Sequence, residues 1–142
     1  MLKLVIPVDG STASHRAIDE AARLAKETTV EIVLVHIRKG GATYHGELAP
    51  GEYERIRSHE IADQERILDE ALAHARGIGL QQVTTHGAAG SPEVDVPVIA
   101  TQHGADMIVM TTRGLGAVGA LLMGSTTQKV VHNATVPVLV VK

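Results

Sequence analysis

The sequence predicts a doubly wound α/β sandwich built on a five-stranded parallel sheet, a Rossmann-like arrangement with strand order 3-2-1-4-5. Two observations predict it. Five short apolar blocks rich in Val and Ile alternate with four stretches of helical period. A crossover through an intervening helix returns the chain to the same end of the sheet and so makes consecutive strands parallel, and such connections are right-handed in nearly every known case. The 142 residues fit one domain, residues 1–142, large enough to bury about two thirds of its unfolded surface.

The first strand is read at Leu2 to Val8, an apolar run ended by Pro7 and the turn pair Asp9-Gly10. Ser11, Thr12 and Ser14 then offer N-caps for a helix to about Glu27, with Ala17, Ile18, Ala21, Ala22, Leu24 and Ala25 on its apolar face. Val30 to Ile37 repeats the strand signal. Arg38 to Gly51 holds four glycines and one proline without a sustained period, and reads as a surface loop. Glu52 to Arg76 places Ile56, Ile61, Ile67, Leu68, Ala71, Leu72 and Ala75 at mainly helical spacing, and Gly77 and Gly79 stop that helix. Gln82 to Ala88 is a weaker third strand.

Ser91 and Pro92 look like the N-cap and first position of a third helix that runs towards Gly104. Pro97 falls about five residues inside it and removes a backbone hydrogen bond at a cost of about 3 kcal/mol, so a kink or a late start is expected. Asp106 to Thr112 is the fourth strand, Ser125 to about Asn133 the fourth helix, and Val136 to Val141 the fifth strand.

Composition excludes several functions. With no cysteine there is no disulfide framework, thiolate nucleophile or thiolate metal site. A formal charge of −3 with interspersed signs, no Phe, no Trp and only Tyr44 and Tyr53 leave neither a basic footprint nor stacking platforms for nucleic acid. The opening MLKLVIPVDG has too short an apolar run for a secretory signal, and no run approaches membrane-spanning length, so a cytoplasmic location is expected. The eight histidines, His15, His36, His45, His59, His74, His86, His103 and His132, show neither an H-x3-H nor an HExxH pattern. His45 and Glu47 in the long loop are acid or base candidates only if that loop closes.

The chemistry concentrates after the fourth strand. Gly114, Gly116, Gly119 and Gly124 fall within eleven residues, and Ser125, Thr126 and Thr127 follow at a helix start. Glycines let backbone amides approach a ligand, and free N–H groups with the positive dipole end favour phosphate. Gly114 to Gly119 matches G-x-G-x-x-G, but no acidic residue follows Asp106 to bind a ribose, so the dinucleotide fingerprint is rejected. Gly119 to Ser125 resembles a P-loop, yet Ser125 stands where the lysine belongs. In a doubly wound fold the ligand lies beyond the carboxyl ends of the strands, where Asp9, the Val35 to Ile37 segment and the Thr111 to Thr126 loop would converge.

A third spacing is more specific: Gly114, nine residues, then Gly124-Ser125. Together with Pro7-Val8-Asp9-Gly10-Ser11, Leu34-Val35-His36, Gly104-Ala105-Asp106 before Ile108-Val109-Met110, and Pro137 to Val141, it resembles the universal stress protein family over the whole chain. The nucleotide-binding branch of that family carries G-x2-G-x9-G-[ST] and holds ATP, commonly with a divalent cation such as Mg2+ or Mn2+. The resemblance implies that Pro7, Val8 and Asp9 border the adenosine, Asp9 bonding a ribose hydroxyl or the adenine. Val35 would offer backbone groups to the adenine edge and Met110 would pack nearby. Gly114 and Gly124 would admit phosphates, Ser125 and Thr126 would donate to them, and Arg113 could reach them.

One position departs from the motif, since Thr111 stands where its first glycine belongs. Its hydroxyl adds a phosphate contact, or its β-branch obstructs a conformation or approach that needs glycine. The resemblance also implies a homodimer through the edge strand Val136 to Val141 and a regulated protein partner. It implies at most slow ATP hydrolysis, since no residue in the matched loops is an evident general base. Two alternatives stand beside this reading: a nucleotide-free dimeric scaffold in which Thr111 closes the pocket, and a small adenylyl-transferring enzyme. The second is disfavoured by the lack of a HIGH-like signature or a substrate domain.

Overall fold

The computed structural model describes residues 1–39, 49–112 and 123–142. Its described elements run β1 (Leu2–Pro7), α1 (Thr12–Leu24), β2 (Val30–Lys39), α2 (Glu52–Gly77), β3 (Val83–Gly90), α3 (Pro92–Gln102), β4 (Met107–Thr111), α4 (Ser125–Asn133) and β5 (Val138–Val141). They form one parallel sheet in the order β3-β2-β1-β4-β5. The chain reverses its direction of travel across the sheet between β1 and β4, which opens the crevice of this topology beyond their carboxyl ends.

Strand alternation builds two cores from one sheet. Leu4 and Ile6 of β1 and Ile32 and Leu34 of β2 pack with Ala17, Ile18 and Ala21 of α1 and with Ile67, Leu68, Ala71 and Ala75 of α2. Their neighbours Val5, Val33, Val35 and Ile37 turn to the other face, where Val96, Ile99 and Ala100 of α3 and Val130 of α4 cover them. Since both faces are buried, the central strands read as continuous apolar runs.

Several boundaries differ from the sequence reading. Helix α1 ends at Leu24, short of Glu27, because the chain tightens there into turns in which Lys26 and Glu27 donate to the carbonyls of Arg23 and Leu24. Strand β2 continues through Arg38 and Lys39, which pair with Ala89 and Gly90, so β3 is also longer than its composition suggests. Strand β5 starts at Val138, with Pro137 contributing its carbonyl to Ile108. Ser11 is the N-cap of α1, accepting from the Ser14 N–H at 3.2 Å.

Pro97 does not delay α3. The helix starts at Pro92 and continues to Gln102 with Pro97 buried inside it. Ser91 is its N-cap, but the cap works through the backbone: the Ser91 N–H donates to Asp95 Oδ2 at 2.7 Å. No described helix is long and apolar enough to cross a membrane.

Candidate functional site

The carboxyl ends of β1, β2 and β4 and the first turns of α3 and α4 enclose a cavity of about 330 Å³. That lies at the lower end of the roughly 300–1,000 Å³ typical of small-molecule sites. Pro7, Val8, Asp9, Val35, Met110, Thr111, Gly124, Ser125 and Thr126 all line it. Three segments far apart in sequence therefore meet at one cavity. Arg113 and Gly114 lie outside the described residues, as do His45 and Glu47.

Each lining group has a local cause. Gly10 takes a left-handed φ of 87° directly after Asp9, turning the chain from β1 into α1. Asp9 Oδ1 accepts from the Ser11 N–H at 2.9 Å and from the Ser11 hydroxyl, an Asx turn that fixes the carboxylate at the strand end. Val8 donates its N–H to the carbonyl of Val35 at 2.8 Å, which ties the ends of β1 and β2 together at the cavity. Val35, Ile37, Val96 and Met110 give the cavity an apolar side.

Another part of the lining is polar. Gly124 caps α4 without a side-chain hydrogen bond, and Ser125, Thr126 and Thr127 occupy the first turn. The first intrahelical bond shown there runs from the Gln128 N–H to the carbonyl of Gly124 at 3.1 Å. The preceding amides lack carbonyl partners within the helix and add their dipoles to the hydroxyls, an arrangement suited to anionic oxygen. Gly124 also donates to the carbonyl of Thr112 at 2.7 Å, and a Cβ on it would stand 3.3 Å from that same oxygen. Glycine permits this close approach.

Thr111 occupies the last residue of β4, paired with Val141. No described residue other than glycine has a positive φ, so the backbone at Thr111 needs no glycine. Its carbonyl accepts from the buried Thr127 hydroxyl at 2.9 Å, which anchors α4 to β4. The substitution therefore changes the cavity wall and leaves the strand intact.

The sequence reading missed Ser14, Pro92 and Val96 as lining residues, and it carried His36, Ile37 and Thr127 only within the Val35 to Ile37 segment and the Ser125 to Thr127 helix opening, with no individual role. Pro92 was legible as a helix start after a strand, the position at which this topology aims a helix at the crevice. His36 was legible only as the last residue of the Leu34-Val35-His36 landmark. It stands on the α2 side of the sheet, where Gln64 Nε2 lies 2.9 Å from its Nδ1. Burial pushes the His36 imidazole below its ordinary range, against the opposing pull of the Asp63 and Asp9 carboxylates.

Comparison with known proteins places this geometry in a family. Residues 1–142 match the model described as Universal stress protein family. The chain is 30% identical to universal stress protein YxiE of Bacillus subtilis over 146 residues, covering 99% of this chain and 98% of that protein. It is 33% identical to a universal stress protein of Thermus aquaticus, over 98% of this chain and 97% of the other. Among solved structures it resembles UspA of Lactobacillus plantarum with a TM-score of 0.84 at 22% identity, covering 99% and 97% of the two chains. It also resembles an Archaeoglobus fulgidus universal stress protein in complex with dAMP, with a TM-score of 0.75 at 23% identity over 100% and 98% of the chains. An Arabidopsis thaliana member with AMP bound gives 0.71 at 18% identity, over 100% and 92%.

Proposed function

Because the chain belongs to the universal stress protein family, we propose that it is an ATP-binding member in which nucleotide occupancy governs a regulatory interaction in the stress response. The observation that carries this reading is the convergence of Pro7, Val8, Asp9, Val35, Met110, Thr111, Gly124, Ser125 and Thr126 on one cavity. The apolar side, with Val35 and Met110, suits a planar base. Asp9 offers acceptors to a ribose hydroxyl or the adenine, and the opening of α4 suits the phosphates, which the motif further assigns to Gly114 and to which Arg113 is the nearest basic residue in sequence. The AMP and dAMP held by family members support an adenine nucleotide as the ligand class.

A divalent cation enters with the phosphates. Among the described residues no group of three His, Asp or Glu forms a cation site by itself. The oxygen donors at hand, Asp9 with the Ser125 and Thr126 hydroxyls, suit Mg2+ or Mn2+ shared with phosphate oxygens. The same proposal includes at most slow hydrolysis: the opening turn of α4, which would hold the phosphates, carries hydroxyls and amides, and the Asp9 carboxylate at the cavity belongs to the end of β1, where Ser11 holds it. Homodimerisation through Val136 to Val141 belongs to the same proposal, as does the regulated protein partner.

The test is calorimetric titration of ATP with Mg2+, alongside denaturation of a sample to release nucleotide carried through purification. Saturation near one nucleotide per chain, or released adenine nucleotide, supports the reading. Folded protein that neither holds nor binds nucleotide overturns it and leaves the dimer surface as the functional element.

A further inference from the structure

Strand β3 is the edge of the sheet opposite β5, and it pairs with β2 alone. The Ile32 N–H donates to the carbonyl of Gln82 at 2.8 Å, in the register that sets Ile32 beside Val83. A parallel ladder in that register holds the backbone groups of Thr84, His86 and Ala88 against β2 and turns those of Thr85, Gly87 and Ala89 outward. All three outward residues are exposed, and among the described residues no backbone partner is shown for them. Edges are commonly blunted by lysine or proline, and the strand VTTHGAAG carries neither.

Helix α2 forms a wall beside this edge. Gln64 Nε2 donates to the carbonyl of Ala88 at 2.9 Å, and a Cβ on Gly87 would stand 3.3 Å from Leu68 Cδ1, so this flank of α2 lies over β3. The other flank meets α1, where His74 Nε2 lies 2.6 Å from Asp19 Oδ1. Helical spacing sets Ile61, Glu65 and Leu72 on the β3 flank with Leu68, and Asp69 one turn from Glu65. Ile61 and Leu72 are half-buried, while Glu65 and Asp69 are exposed. These two carboxylates make no ion pair among the described residues, whereas Asp63 and Glu70 flank Arg66 at 2.6 and 3.1 Å. An open strand edge therefore runs beside an apolar strip and two uncompensated negative charges.

We propose that the β3 edge and this flank of α2 dock an extended, basic segment of a partner protein, which adds a strand beside β3 and sets lysine or arginine against Glu65 and Asp69. The outward N–H and carbonyl groups of Thr85, Gly87 and Ala89 supply the hydrogen bonds, and every second side chain of the incoming strand faces α2. Charge selects the occupant. A second copy paired antiparallel across this edge would lay both α2 helices on one face and bring two Glu65 and two Asp69 carboxylates together without a cation. A basic segment is complementary to the same pair. The docking requires no nucleotide and leaves the β5 edge free, so it stands whether or not ATP binds.

The test uses the 15N-labelled full chain and two capped synthetic peptides, Thr-Val-Lys-Val-Lys-Val-Thr and Thr-Val-Glu-Val-Glu-Val-Thr, which differ only in the charge on one face of an extended strand. The lysine peptide should shift the amide signals of Thr85, Gly87 and Ala89 and slow their exchange with solvent. At low salt it should bind about tenfold more tightly than the glutamate peptide. Combining Glu65→Lys with Asp69→Lys, both at exposed positions, should reverse that preference. Absence of shifts at these three amides with about 1 mM lysine peptide overturns the proposal, as does equal binding of the two peptides or an unchanged preference in the double variant. Concentration-dependent protection of the same amides in the free protein also overturns it, because a second copy would then cover the edge.

Discussion

Asn133 donates its side-chain amide to the carbonyl oxygen of Glu93 at 2.9 Å, the acceptor that Pro97 leaves without its helical N–H. In an α-helix the N–H of residue 97 would bond the carbonyl of residue 93. Proline has none, and an amide from the end of α4 takes its place. The bond also joins α3 to α4 on the face of the sheet that they cover together, which explains how an internal proline coexists with a continuous helix.

Asn133→Ala should therefore destabilise the protein by about 0.5–1.5 kcal/mol, the range for one hydrogen bond, at the low end because this one is solvent-exposed. In a Pro97→Ala background the restored N–H can occupy Glu93, and the same substitution should cost less. A double-mutant cycle by urea denaturation measures the difference. Equal costs in the two backgrounds would show that Asn133 does not compensate for the proline.

Gly87→Ala should cost about 1–3 kcal/mol, because its Cβ would come within 2.8 Å of Gln64 Oε1 and 2.9 Å of Cδ, displacing a buried amide that serves two carbonyls. Thermal or urea unfolding checks this. A stability equal to wild type would mean that Gln64 moves aside without loss.

Gly124→Glu places a carboxylate at the opening of α4, where the cavity is proposed to receive phosphates. ATP affinity should fall at least tenfold, about 1.4 kcal/mol, while the fold persists by circular dichroism. Unchanged affinity would sink the phosphate assignment of Gly124 to Thr126.

The edge of β5 gives a test of the dimer. Ile108 and Thr112 donate to the carbonyls of Pro137 and Val141, so the backbone groups of Val138 and Val140 turn away from β4 towards the open edge. Val140→Pro removes an outward N–H without breaking the β4 ladder, and should convert the proposed dimer to a monomer in light scattering. A wild-type monomer at micromolar concentration would end the paired-edge proposal.

Acid should weaken the fold well above the carboxylate range. His36 and His103 are held below the ordinary histidine value of about 6.5 chiefly by burial, as is His15. The positive field of His74 adds to the effect at His15, and those of His86 and Lys3 add to it at His103. The unfolded chain then binds more protons in that window. The stability these three contribute is complete above about 6.5 and is lost as pH falls through their lower folded values. Urea midpoints should accordingly decline between about pH 7.5 and pH 5. A flat or rising midpoint would contradict the sign.

The sequence by itself determined the layout. Apolar blocks of strand length such as Val30 to Ile37, helical spacing such as Ile67, Leu68, Ala71 and Ala75, and the pairs Asp9-Gly10 and Ser91-Pro92 are local signals, because period, capping and turn chemistry act over a few residues. They located all nine elements to within a few residues, and with the motif they picked out nine residues that line one cavity. Only the tertiary structure decided what depends on contacts between distant segments. Neither the Asn133 amide over Glu93 nor Gln64 between His36 and Ala88 leaves a trace in local sequence, for the partners lie 40, 28 and 24 positions apart. The true lengths of β2 and β3 belong with these, since a strand continues for as long as its neighbour offers hydrogen-bond partners, whatever its own composition.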